Sequence, residues 1–159
     1  MAIKRYTASK DNTINNAFSS DLITRGTGSN MGASDILEVF SIYGQASSSS
    51  IERSRALLEF PVSTISSDRS AGTIPASGSV DFFLRVYNAE HPFTVPRDFT
   101  LAILAVSQSW QEGRGLDMDQ YNDDGYCNWI HAASASSGIT SWGQEGGTFH
   151  SGAYSAGDY

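Results

Sequence analysis

Apolar positions along this chain recur at period two or in short unbroken runs, and nowhere with the sustained i, i+3, i+4, i+7 spacing of an amphipathic helix. The strongest run is Phe99 to Val106, apolar or β-branched at nearly every position and flanked by Pro96 and Gly113, which predicts a buried strand. Ser79 to Tyr87 alternates instead: Val80, Phe82, Leu84 and Val86 fall on one face, Asp81, Phe83, Arg85 and Tyr87 on the other. Arg53 to Phe60, closed by Pro61, reads as a further strand, as does Asp35 to Tyr43. Ile3 to Ile14 reads as one strand or two short ones.

Between these lie connections of turn-forming composition: a polar turn around Asn15, Asn16 and Asp21, a glycine-rich loop from Arg25 to Gly32, and a serine-rich stretch from Gly44 to Ser50. A Ser/Asp/Gly-rich linker then runs on to Gly78. After Trp110, Glu112-Gly-Arg-Gly115 leaves the strand through two glycines, and from Leu116 onward the small, polar composition predicts loops with few strands. The pattern is all-β, and irregularly spaced long strands favour an antiparallel β-sandwich with Greek-key crossovers. Leu57, Phe60, Phe82, Leu84, Leu101, Ile103 and Trp110 are its expected core.

At 159 residues the chain suits one domain that needs neither disulfides nor metal to fold. A formal charge of −7, with only 10 Lys and Arg, provides no basic face for nucleic acid or anionic lipid. Cys127 stands alone, so no internal disulfide forms, and the N-terminal sequence has no apolar run that would make a signal peptide or anchor.

Catalytic signals are weak throughout. The Arg25 to Gly32 loop lacks dinucleotide spacing and a P-loop Lys-Ser/Thr ending, and a strand pattern follows it where a helix is needed. No Gly-x-Ser-x-Gly elbow occurs, and His91, His131 and His150 show no zinc spacing. Glu38, Glu59 and Asp81 lie in predicted strands without an indicated partner carboxylate. The acidic cluster Asp117, Asp119, Asp123 and Asp124 offers oxygens that suit calcium, but its spacing is not that of an EF-hand and a solvated loop explains it more simply. Tyr121, Tyr126, Trp129 and Trp142, with Trp110, are candidate aromatics for glycan stacking or subunit contacts. Each tryptophan is also a natural packing residue with its indole N–H on a carbonyl.

The ordered set Arg55-x-Leu57-Leu58-x-Phe60, Leu84-Arg-Val-Tyr87, Val106-Ser-x-Ser-Trp110-x-Glu112-Gly113-x-Gly115, Asn128-Trp129 and Trp142-Gly143-x-x-Gly146-Gly147 resembles the DNRLRE-domain family. That resemblance runs from about Asp11 to Gly147 and implies a jelly-roll fold similar to carbohydrate-binding modules, with the tryptophans largely packed under loops. The opening Met1 to Ile14 and the block Thr24 to Phe40 also look like structural proteins of tailed phages of marine cyanobacteria. This likeness implies a virion protein assembled in the host cytoplasm.

The resulting expectations are a jelly-roll-type domain over residues 1–147, incomplete at its C-terminal side, and a tail over 148–159 in which Phe149, Tyr154 and Tyr159 anchor on a neighbour. Expected partners are other virion proteins or copies of the same chain. The alternative is a carbohydrate-binding module that adheres to host-surface glycan, and a glycan-cleaving enzyme ranks third. No organic cofactor, nucleic acid or membrane is expected; structural calcium is the one candidate ion.

Overall fold

A computed structural model describes residues 3–76, 78–90, 98–116, 126–135 and 138–150. Strands dominate, accompanied by one short helix. They are β1 (Lys10–Asn15), β2 (Ser41–Tyr43), β3 (Ile51–Glu59), β4 (His131–Ala135) and β5 (Gly138–Ser141), and the helix α1 is Val62–Ser70. The strands form two small sheets, one of order β1-β3-β2 and one an antiparallel β4-β5 pair.

The three-stranded sheet keeps the Arg53 to Phe60 strand nearly as expected, as β3, and shortens two others: of Ile3 to Ile14 only the end, from Lys10, is strand. Of the run Asp35 to Tyr43 only Ser41–Tyr43 pairs, placing Ser41 opposite Arg53, Ile42 opposite Glu52 and Tyr43 opposite Ile51. On β3 the buried positions are Glu52, Ser54 and Leu57, so period-two alternation slips by one residue along the strand. The second sheet corrects the expectation of a loop-rich C-terminal third. His131 pairs with Ser141, Ala133 with Thr140, Ser134 with Ile139 and Ala135 with Gly138, with an irregularity between His131 and Ala133. Alanine and serine have weak strand preference; tertiary packing holds this hairpin, since the methyl of Ala132 is fully buried in the core.

Helix α1 was not expected. None of its residues is buried, so it carries no apolar stripe from which a sequence pattern could be read. Pro61 at its entry fits a position whose missing N–H costs nothing, and its carbonyl accepts the Ile65 N–H at 3.1 Å.

Two compact units emerge: Met1–Ser9 with Leu58–Phe99, and Lys10–Leu57 with Thr100–Tyr159. In the first, Asp68 of α1 accepts the Tyr6 hydroxyl at 2.7 Å and pairs with Lys4 at 3.1 Å. The Tyr6 hydrogen bond, then Lys4, holds that carboxyl below its ordinary range. The second holds the main core: Ile14, Leu57, Trp110, Cys127, Trp129, Ala132 and Trp142, with Val106 and Ile130 packed against it.

Of the seven expected core residues, Leu57 and Trp110 are buried and Phe60 is half-buried. Phe82, Leu84, Leu101 and Ile103 are exposed. Their segments were expected to be sheet strands; among the described residues Ser79 to Tyr87 belongs to no sheet, and of Phe99 to Val106 only the end pairs, Val106 bridging Phe149 in antiparallel fashion.

Candidate functional site

The second unit is organised around buried amides. Asn12, Thr13 and Asn15 on β1, Ser29 and Asn30 in the glycine-rich loop, and Asn128 before β4 are all 1% exposed or less. Burying such groups is tolerable only when each finds a partner. Asn12 Oδ1 accepts the Met31 N–H at 3.1 Å, and its Nδ2 donates to the Cys127 carbonyl at 3.2 Å. Asn30 Oδ1 accepts the Gly115 N–H at 2.8 Å. Asn15 accepts the Ala17 N–H at 2.8 Å and donates to Ser29 Oγ at 2.7 Å, which in turn donates to the Gly26 carbonyl. Asn128 Oδ1 accepts the N–H groups of Ile130 and His131, and its carbonyl accepts the Trp142 indole at 2.8 Å.

Glycine is required where these strands of backbone meet. A Cβ on Gly32 would land on the backbone of Gly113, one on Gly113 on the Asn30 amide, and one on Gly115 on the Asn30 carbonyl. The Glu112-Gly-Arg-Gly115 step, expected to be a turn out of a sheet, is therefore a close-packed seam against the Arg25 to Gly32 loop. That loop is a structural partner of residues far away in sequence. Its glycines and Asn30 were visible as turn-formers; the burial of Asn30 was not, because nothing local marks an amide that will be capped by residue 115.

This arrangement positions backbone and offers little chemistry. Its polar side chains are neutral amides already engaged as donors and acceptors. Burial pushes the Cys127 thiol up to about 12, against the opposing effect of Asn12, so it stays protonated and unreactive in the folded chain. Glu52 is buried on β3; its Oε2 accepts the Phe18 N–H at 2.8 Å while Oε1 has no hydrogen-bond partner among the described residues. Asp11, half-buried beside Glu112, has its carboxyl raised by burial first and by the Glu112 charge second.

The aromatic candidates divide. Trp129 and Trp142 are 5% and 6% exposed, so neither ring face is open to a sugar; they are packing residues, as is Trp110. Arg55 lies over the Trp129 ring at 5.1 Å and over Phe149 at 5.4 Å, and donates to the Gly146 carbonyl at 2.7 Å. Gly146 sits against this stack, where a Cβ would come within 2.7 Å of Trp129. Phe149 is thus held in the same chain, opposite Val106. Tyr126 is half-buried at φ +64°, an unusual conformation for an aromatic residue, with Arg114 4.4 Å above its ring. Tyr121, Tyr154, Tyr159 and the acidic cluster Asp117, Asp119, Asp123 and Asp124 lie outside the described residues. Among the described residues no group of three or more His, Cys, Asp or Glu is placed to hold a metal ion, and no helix is long and apolar enough to cross a membrane.

The feature with an evident capacity for recognition is apolar and exposed. In the first unit Val80 to Glu90 runs without a turn or bend, and Phe82, Phe83, Leu84, Val86 and Tyr87 are open to solvent, Phe83 by 88%. Arg85 stands 5.0 Å from the Tyr87 ring, the i, i+2 neighbour relation of an extended strand. Among the described residues no backbone hydrogen bond joins Val80 to Tyr87 to another segment. In the second unit Leu101 and Ile103 are likewise exposed. Val80 to Tyr87 thus combines strand-forming side chains, open apolar surface and backbone groups without a partner in another segment among the described residues, the properties of a strand that pairs with another chain.

Comparison with protein-family models, with curated proteins and with solved structures finds no match to this chain.

Proposed function

We propose that this chain is a non-enzymatic virion structural protein of a tailed phage, a surface decoration or a fibre or appendage component that packs against neighbouring subunits. The observation that carries the reading is the exposed, extended segment Ser79 to Tyr87, whose Val80 to Tyr87 backbone makes no hydrogen bond to another segment among the described residues, seconded by the exposed Leu101 and Ile103. An isolated soluble protein that left such edges open would associate without control, whereas an assembly subunit reserves them for its neighbours. The resemblance of Met1 to Ile14 and Thr24 to Phe40 to phage structural proteins supports the same reading and supplies its virion setting. In this reading the jelly-roll-type sandwich is completed in the particle, where Ser79 to Tyr87 and Phe99 to Leu104 enter sheets together with strands of adjoining subunits.

Purified, salt-washed particles of the phage that encodes the chain test the proposal. The protein is expected at constant stoichiometry by mass spectrometry. Hydrogen exchange at Val80 to Tyr87 is expected to be fast in the free chain and strongly slowed in the particle, because the amides gain partners there. Absence from washed particles would refute the virion role. Saturable binding on a glycan array, lost on substitution of Tyr126 with the fold intact, would instead establish adhesion to glycan.

A further inference from the structure

We infer that Val80 to Val86 is a self-complementary strand that pairs antiparallel with the same segment of a second copy of this chain, about a two-fold axis through Phe83. The sequence of the segment is Val-Asp-Phe-Phe-Leu-Arg-Val, which reads as its own complement. Antiparallel pairing centred on Phe83 sets Val80 opposite Val86, Asp81 opposite Arg85, Phe82 opposite Leu84, and Phe83 opposite itself. Both charged residues therefore meet the opposite sign, twice over by symmetry, on the face that also carries the Phe83 pair. The other face is wholly apolar. Opposite charges and aromatic pairs directly across strands are the stabilising combinations of a sheet, and like charges the destabilising ones.

Other pairings lose this match. A parallel pairing in register would set Asp81 against Asp81 and Arg85 against Arg85. An antiparallel slip of one pair sets the charges opposite neutral residues: Asp81 opposite Tyr87 and Arg85 opposite Phe83 in one direction, Asp81 opposite Phe83 and Arg85 opposite Ser79 in the other. The segment is already extended, with exposed side chains on both faces and no backbone hydrogen bond to another described segment, so little rearrangement is needed to form the ladder. A symmetric dimer is the closure expected of an isologous patch. The inference rests on the assembly reading in one respect: the apolar face of the paired ribbon is covered by further subunits in the particle.

Sedimentation velocity on the purified full chain tests this. The wild type is expected to dimerise, and Asp81→Arg and Arg85→Asp are each expected to weaken dimerisation about tenfold by opposing like charges. Combining both substitutions in one chain restores opposite signs and is expected to restore the dimer. Mixing the two single variants is expected to give a heterodimer, since each then faces its opposite charge. These rescues distinguish pairing from loss of folding.

A disulfide test reads the register directly. Phe83→Cys is expected to cross-link to its own copy on mild oxidation, because a residue on the axis lies about 4.5–5.5 Å Cα to Cα from its mate. Val86→Cys is expected not to, since its copy lies about 20 Å away along the ribbon. Cys127 is the chain's sole native cysteine and is buried, so it does not compete. A wild type that stays monomeric, equal dimerisation of the wild type and both single variants, or efficient cross-linking through Val86→Cys would overturn the inference. A monomeric wild type that still enters particles would overturn self-pairing and leave the virion role standing; a charge-rescued dimer absent from particles would do the reverse.

Discussion

The segment Asn12 to Asn15 and the segment Phe82 to Val86 exchange the places that their composition predicts. The first is rich in amides and hydroxyls and lies at the centre of the main core; the second is the most apolar alternating run in the chain and lies open to solvent. What distinguishes them is satisfaction. The buried amides have partners, Asn12 in Met31 and Cys127, Asn15 in Ala17 and Ser29, and Asn30 in Gly115 at the glycine seam, whereas no backbone hydrogen bond joins the apolar run to another segment among the described residues. Hydropathy states that a side chain needs covering, and leaves open whether its own chain or another provides the cover.

Substitutions that strike the seam should do the greatest damage. Gly115→Ala drives a methyl into the Asn30 carbonyl and should cost about 4 kcal/mol, at the severe end of single substitutions, by urea titration of the isolated chain. A loss under 1 kcal/mol there would mean that the seam yields, and the contrast between the two regions would weaken. The next effect separates two leucines that look alike in sequence. Leu57→Ala empties a core site and should cost about 2–5 kcal/mol. Leu101→Ala, at a residue 56% exposed, should stay within about 0.5 kcal/mol. Equal losses at both positions would place Leu101 in a core after all.

Asn30→Ala leaves the Gly115 N–H without its acceptor and should cost about 1–3 kcal/mol; Asn30→Asp, which keeps an acceptor, should recover part of it when measured above the carboxylate's titration range. The smallest effect is one of pH. The Cys127 thiol, raised from an ordinary 9.0 to about 12 by burial, keeps its proton in the fold while the unfolded chain loses it. The folded form is thus favoured fully below pH 9, and that advantage is lost progressively as pH rises from about 9 to about 12. Cys127→Ser should flatten this part of the stability profile, and alkylation of the native thiol at neutral pH should proceed at the rate of unfolding.

Sequence alone revealed the strand-dominated class, β3, and β1 as the C-terminal part of the run Ile3 to Ile14, because both are runs of strand-forming residues that find their pairing and cover within the chain. It identified Leu57 and Trp110 as core and offered packing as one role for Trp129 and Trp142, since large side chains beside strand ends have few other places to go. Helix α1 escaped because it buries nothing, and the β4-β5 hairpin because Ala and Ser carry no strand signal of their own. The seam escaped for a third reason. Asn30 and Gly115 are 85 residues apart and Asn12 and Cys127 are 115 apart, distances over which no local pattern operates.

Those same separations govern how the protein is born. While the chain emerges from the ribosome, the Asn12 amide N–H and the Asn30 Oδ1 wait for the Cys127 carbonyl and the Gly115 N–H, and Trp110, Cys127, Trp129, Ala132 and Trp142 of the main core are made later than Ile14 and Leu57, so that core closes late. Val80 to Val86 leaves the exit tunnel earlier by some forty residues, a few seconds at about 5–20 residues per second. During that interval an exposed apolar segment is available on a nascent chain whose own core is still open. Neighbouring ribosomes on one message hold such chains at high local concentration; under the proposed self-pairing, partner choice would begin during translation, and the timing of Gly115 and Cys127 would set how long the choice stays open.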